Sequence, residues 1–331
     1  MHYPAFLKEG DIIGIPAPSA GVGDKIPDFT KSLDILHKEG FQTKETASVR
    51  SSELASNDGK TRAIELMSLF EDDTVNMVIA AAGGDFLYEI LPYTDFQKMA
   101  EHPKWMMGAS DPTGILYPYT TLYDIATMYG FNAGSFDLGT DWDYIHHGLQ
   151  VITGKDLQQK SYPMHMSKAK FLMDVLAYDS ADTWKSPYDK FHVTGRCIGG
   201  CMDVLKDLMG TPYDGTLSFL ERYKEDGAIF YFDNFALSAE NFYRTLLQFK
   251  YAGWFNYAKG IIIGRVCLPS SDTGMTYEEA CARALGDIPY VMEADVGHTV
   301  PYMVMINGAL LDLDWHDEQA SLQFIIKVEN C

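Results

Sequence analysis

Residues 76–84 read Asn-Met-Val-Ile-Ala-Ala-Ala-Gly-Gly, an apolar run that stops at paired glycines. A short apolar run bounded by turn residues reads as a buried strand. Similar runs recur on either side. Ile12-Ile13-Gly14-Ile15 leads into Pro16-Ala17-Pro18, and Trp105-Met106-Met107-Gly108 stops at Ala109-Ser110-Asp111. Between them lie helical spacings. Ile26, Phe29, Leu33, Ile35 and Leu36 are followed by Gly40 as a stop, and a second helix is expected over 61–70 and a third over about 115–129. Strands separated by helices predict βαβ units, and hence an α/β domain with a mainly parallel sheet.

From about 135 to 190 the pattern decays. Asp141-Trp142-Asp143-Tyr144-Ile145-His146-His147 mixes aromatic, acidic and imidazole side chains without a sustained period. Order returns near His192. The spacing predicts a strand at 191–195 running into Ile198-Gly199-Gly200, a helix to Met209, a continuous apolar strand at 228–232 and a helix over 239–249. A strand at 260–264, a helix over 276–285 and short β segments complete the chain. The expected division is an N-terminal domain at 1–150, an irregular linker and substrate loop at 151–190, and a C-terminal α/β domain at 191–331, with the active site between the two domains.

The chain has 331 residues, 46 of them acidic and 26 basic, for a formal charge of −20. Such a surface repels polyanions, so nucleic acid is not an expected partner. No apolar stretch approaches the roughly 20 residues that span a bilayer, so no membrane association is expected. The N-terminus lacks a basic segment followed by an apolar one, which points to a soluble, cytoplasmic protein. The five cysteines, Cys197, Cys201, Cys267, Cys281 and Cys331, fit neither a disulfide framework nor a zinc knuckle and read as reduced, mostly buried thiols.

Four segments carry possible chemistry. Ser110, on a turn between strand and helix, reads either as an exposed nucleophile or as a helix cap. Gly83-Gly84 reads as a pair whose backbone amides face a ligand, or as a tight turn; the Lys and Ser/Thr of a phosphate loop are missing. Asp233 emerges from an apolar strand, placed either to orient a histidine or to cap a helix. His298, between Gly297 and Thr299, suits a ring exposed in a loop. His146-His147 is not expected to hold a metal, because adjacent residues rarely ligate one ion and no helical pattern brings Asp143 and His147 onto one face. No metal or cofactor is expected.

Taken together, these segments resemble the LD-carboxypeptidase family of serine peptidases, which includes the microcin C immunity proteins. The resemblance rests on Leu7 to Ser19, Thr61-Arg62-Ala63 to Phe70, Ala82-Gly83-Gly84, Gly108-Ala109-Ser110-Asp111-Pro112-Thr113, Gly195 to Gly200 with Gly210-Thr211, and Gly297-His298 with Pro301, in the family's order. It implies Ser110 as nucleophile, His298 as general base, and an oxyanion hole from the backbone amides of Gly84 and Asp111. The family's triad acid is a glutamate; Asp233, one methylene shorter, stands at that position. Gly83, Asp85 and Trp184 are the implied substrate-binding residues, with Trp184 stacking on a nucleobase. The implied substrates are aminoacyl-nucleotides or small peptides, as in the immunity branch. The alternatives are a murein tetrapeptide that loses its terminal D-alanine, and a non-catalytic member that only binds such ligands. A homodimer is also implied.

Overall fold

The computed structural model describes residues 1–181 and 184–326. In chain order the first elements are β1 (Ile12–Ile15), α1 (Ile26–Lys38), β2 (Gln42–Glu45), α2 (Gly59–Glu71), β3 (Val75–Ile79), α3 (Phe96–Glu101), β4 (Trp105–Gly108), α4 (Thr113–Tyr123), β5 (Thr127–Tyr129) and α5 (Asp143–Ile152). They are followed by β6 (Gln158–Lys160), β7 (Lys190–Cys201), α6 (Met202–Leu208), α7 (Thr216–Arg222), β8 (Ala228–Asp233), α8 (Ala239–Tyr251), β9 (Ala258–Gly264), α9 (Tyr277–Leu285) and β10 (Tyr290–Ala294). The last strands are β11 (Met305–Asn307), β12 (Leu310–His316) and β13 (Gln319–Ile325). They build two compact units, 1–157 with 304–308, and 158–303 with 309–325.

The first unit holds a six-stranded sheet in the order β11-β5-β4-β3-β1-β2. β2, β1, β3, β4 and β5 run parallel, and β11 joins β5 antiparallel. The central strands are apolar on both faces because helices cover both; Ile13, Ile15, Met77, Val78, Met106 and Met107 are all inaccessible to solvent. Parallel strands align their carboxyl ends, so the segments after β1, β3 and β4 come out along one edge.

The second unit holds a seven-stranded sheet in the order β10-β9-β8-β7-β12-β13-β6. β7 to β10 are parallel, and β12, β13 and β6 extend the sheet antiparallel. β8 pairs Cys201 of β7 with Asp233, which brings both to the same carboxyl edge. Beneath that edge the alternate side chains Phe230 and Phe232 meet Phe249 of α8, Trp254 and Phe255; Phe249 and Trp254 stack with centroids 4.3 Å apart. Thr276 and Glu279 close a capping box at the start of α9.

Three local expectations change. The helix expected over 115–129 stops at Tyr123, because Asp124 takes a left-handed conformation with φ 63° and returns its N–H to Thr120 O. Residues 127–129 then form β5. The stretch read as patternless contains α5, whose buried face is Tyr144, Ile145, Gly148, Leu149 and Ile152. Gly148 hides the period: it holds an inward position without a side chain because Phe131 fills that space. Asp143 and His147 are therefore four apart on one helix, yet no cluster of three metal-ligating side chains occurs among the described residues. The segments at 191–195 and 198–200 are parts of one twelve-residue strand, β7.

The aromatic cluster under β8 fixes the height at which Asp233 leaves the sheet. Phe230→Ala is expected to cost about 3–5 kcal/mol of unfolding free energy, read as a lower urea midpoint at an unchanged slope.

Candidate active site

In the first unit, three strand ends converge. Ser110 follows β4 and carries φ 68°, a conformation that costs a non-glycine residue about 1–3 kcal/mol. The surroundings hold it there. Asn132 brackets Ala109, its Oδ1 accepting the Ala109 N–H at 3.0 Å and its Nδ2 donating to the Ala109 carbonyl at 3.3 Å. The Ser110 N–H donates to the Tyr129 hydroxyl at 3.0 Å, and the Ser110 carbonyl accepts the first helical N–H of α4, from Thr113, at 3.0 Å. A strained strand-to-helix turn persists only where its surroundings hold it in this way.

Gly83 and Gly84 follow β3 and lie against the serine. A Cβ on Gly83 would stand 2.9 Å from Ser110 Cβ, and one on Gly84, where φ is 143°, would overlap Ser19 Oγ. Only a bare backbone fits between the serine and the segment after β1. Among the described residues no acceptor takes the Gly84 or Asp111 N–H, so both remain available as donors. The Asp111 carboxylate does not face outward with its N–H. It is buried, and its Oδ2 accepts the Ser19 hydroxyl and the Leu87 N–H. Burial raises its pKa, opposed by those two bonds. Arg62 lies nearby, wholly buried, donating to the carbonyls of Pro18 and Phe86 at 2.8 and 3.0 Å and paired with Glu89. Asp85 sits exposed beside the glycines.

In the second unit, Asp233 and His298 meet. His298 Nδ1 lies 2.8 Å from Asp233 Oδ2; the carboxylate is inaccessible to solvent and the imidazole is 18% exposed. The shorter acid therefore reaches the ring. Gly297, with φ 112°, permits the approach, since a Cβ there would overlap Asp233 Oδ1. Burial pushes the His298 pKa down, but the charge of Asp233, its hydrogen bond and the charge of Asp203 together outweigh it, and the pKa is raised. Phe235 packs its ring 4.7 Å from the imidazole.

Two further acids position these groups. Asp203 accepts the N–H groups of Phe235 and Ala236 at 3.0 and 3.2 Å, which fixes the turn after Asp233. Asp295, wholly buried, receives Arg265 Nη1 at 2.5 Å on one oxygen and both the Tyr162 N–H at 2.9 Å and Trp184 Nε1 at 2.7 Å on the other. Its backbone carbonyl accepts the Met303 N–H at 2.7 Å, closing the loop that carries His298.

The expectation for Trp184 is corrected here: the indole is 1% exposed and its N–H is committed to Asp295, so it presents no face on which a nucleobase stacks. Cys197, Cys201, Cys267 and Cys281 are buried and form no disulfide among the described residues, and Cys331 lies outside them. Ser19, Tyr129, Asn132, Asp203, Arg265 and Asp295, which hold the groups of the candidate site in place, carry no motif that marks them in the sequence. Their common signal is position, since each follows or ends a strand at a carboxyl edge or starts a helix there. No helix of the described residues is long and apolar enough to cross a membrane.

Residues 13–130 match the LD-carboxypeptidase N-terminal domain and residues 194–313 the LD-carboxypeptidase C-terminal domain. A provisionally named carboxypeptidase of Vibrio cholerae is 26% identical, with 98% of each chain covered. The microcin C7 self-immunity protein MccF of Escherichia coli is 23% identical over 96% of this chain and 94% of its own. Among solved structures, an MccF-like protein from Bacillus anthracis superposes with a TM-score of 0.83 at 23% identity, covering 99% of this chain and 100% of its own. A muramoyltetrapeptide carboxypeptidase from Oxalobacter formigenes gives 0.76 at 21% identity, covering 96% and 100%.

The raised pKa of His298 fixes a sign. Unfolded, the ring titrates near about 6.5; folded, it titrates higher. The pair's contribution to stability is therefore fully present below the unfolded value and lost as pH rises through the folded one. Asp233→Asn removes the charge that outweighs burial. The His298 pKa, followed by imidazole proton chemical shifts, is expected to fall below that of the unaltered protein, and this window of pH-dependent stability is expected to disappear.

Proposed function

Because the chain belongs to the LD-carboxypeptidase family, we propose that it is a serine-type hydrolase working through Ser110, His298 and Asp233. The observation that carries this reading is the 2.8 Å contact between His298 Nδ1 and a fully buried Asp233. A carboxylate on Nδ1 selects the tautomer with its proton there, which leaves Nε2 as the base.

The steps follow. Ser110 Oγ attacks the carbonyl carbon of the scissile amide while its proton passes to His298 Nε2. Negative charge gathers on the carbonyl oxygen, where the N–H groups of Gly84 and Asp111 donate to it. The C–N bond breaks as His298 returns the proton to the leaving amine, and the acyl group stays on Ser110. Water, deprotonated by the same nitrogen, then releases the acid and restores the serine.

The substrate in this reading is an amino acid joined through an amide-like bond to a nucleotide-like group. Solved structures of MccF hold glutamyl sulfamoyl guanosine and aspartyl sulfamoyl adenosine, which support it. One observation favours a second substrate. With Trp184 buried, nucleobase stacking loses its aromatic platform, and removal of D-alanine from a murein tetrapeptide needs none. The reading also takes the protein as a cytoplasmic homodimer.

A mass-spectrometric assay with an aminoacyl sulfamoyl adenosine and a murein tetrapeptide separates these. Free amino acid from the first is the expected result, and D-alanine from the second moves the assignment to wall recycling. Ser110→Ala is expected to abolish either activity. Gly297→Ala is expected to lower kcat by about a hundredfold, since roughly 1 Å of displacement at the pair suffices for that. Turnover of neither substrate overturns the hydrolase reading in favour of a binder.

A further inference from the structure

A cavity of about 600 Å³ lies within the second unit beside the histidine turn. Leu172, Val266, Cys267 and Leu268 give it an apolar wall, and Lys168 and Thr299 reach it with polar side chains. The wall is fastened to the turn that follows Asp233: the Cys267 N–H donates to the Asn234 carbonyl at 3.1 Å and the Leu268 N–H to the Phe235 carbonyl at 2.9 Å. Thr299 is the residue after His298. The cavity is thus attached next to both the acid and the base.

Two of its polar side chains, Thr299 and Lys168, are uncommitted among the described residues. Thr299 is 5% exposed, and its hydroxyl has no hydrogen-bond partner among the described residues. Keeping a buried hydroxyl unpaired is costly, and Thr299 lines the cavity where a ligand atom would pair with it. Lys168 is exposed and makes no ion pair among the described residues. Its backbone is held from next door, where Ser167 donates its N–H and its hydroxyl to Asp179 at 2.7 and 2.8 Å.

Charge assigns the two ends. The Cys267 wall is apolar and is bonded to Asn234, the neighbour of the buried Asp233 carboxylate, so that end of the cavity disfavours an anion. At the mouth, the Lys168 ammonium attracts one. We propose that the cavity is a ligand subsite for a group with an apolar body and a terminal carboxylate. The body lies against Val266, Cys267 and Leu268, the carboxylate pairs with Lys168, and the Thr299 hydroxyl takes a polar atom nearest His298. As a place for part of a substrate the subsite rests on the hydrolase reading; as a binding site it does not.

Sodium hexanoate, hexanol and hexylammonium chloride, titrated calorimetrically into the full chain and into Lys168→Met, test it without any turnover. Hexanoate is expected to bind about tenfold more tightly than either analogue, a preference that Lys168→Met removes while leaving hexanol unchanged. Amide chemical shifts are expected to move at 266–268 and 299. Absence of binding, equal binding of hexanoate and hexanol, indifference to Lys168→Met, or shifts confined elsewhere would each overturn the proposal. A chain that binds hexanoate in this way and hydrolyses neither test substrate loses the hydrolase reading and keeps the subsite. The reverse result loses the subsite alone.

Discussion

The space a single Cβ would need at position 297 is occupied by the carboxylate of Asp233. Much of the second unit serves that contact. Four parallel strands deliver Cys201, Asp233, Arg265 and Asp295 to one carboxyl edge, and each acid there is held by a different device. Asp203 ties down the turn after Asp233 through two backbone N–H groups, and Asp295 ties the loop of His298 to β9 and to the preceding segment through Arg265, Tyr162 and Trp184. A buried carboxylate without such partners would protonate or pull water inward. Because the pairing is met by fixed groups, the imidazole sees a charge that outweighs its own burial.

The first unit carries at its strand ends a half-buried serine and two N–H groups that no acceptor among the described residues takes. Its cost is local strain at Ser110, offset by hydrogen bonds that bracket the preceding residue and accept the serine's own N–H. The buried charge of Arg62 does related work one layer down. It gathers the carbonyls of Pro18 and Phe86, which orients the segments after β1 and β3 whose small residues flank the serine. Planar, fork-shaped donors suit such a junction better than a flexible ammonium would.

Much of the fold is legible in the sequence, because parallel strands buried on both faces appear as unbroken apolar runs, as at 76–82, 228–232 and 260–264. The glycine turns are legible for the same local reason. Legibility fails where tertiary contacts decide. α5 is obscured by Gly148, whose missing side chain makes room for Phe131, and the end of α4 is set by the left-handed Asp124. The stacking role of Trp184 comes from the resemblance alone; loop composition carries no record of its burial, and its partner Asp295 lies 111 residues away. The supports of Ser110 are similarly remote: Tyr129 and Asn132 come from the next strand and the turn after it. Residue type marks a candidate serine, whereas the residues that hold it are chosen by neighbourhood in space.

The thiols sharpen the chemical assignment. Cys201 pairs in register with Asp233, and the charges of Asp233 and Asp203 act on both it and Cys267. In a different setting a cysteine beside an acid–histidine pair would compete as the nucleophile. Here burial and the two acids raise both thiols far above neutral pH, so each stays protonated and inert. The electrostatics that favour a charged imidazole thus disfavour a thiolate in the same place. In the proposed reaction, an acid–base pair of this kind suits a nucleophile that is a hydroxyl at rest and loses its proton only during attack, the role that the proposal gives to Ser110.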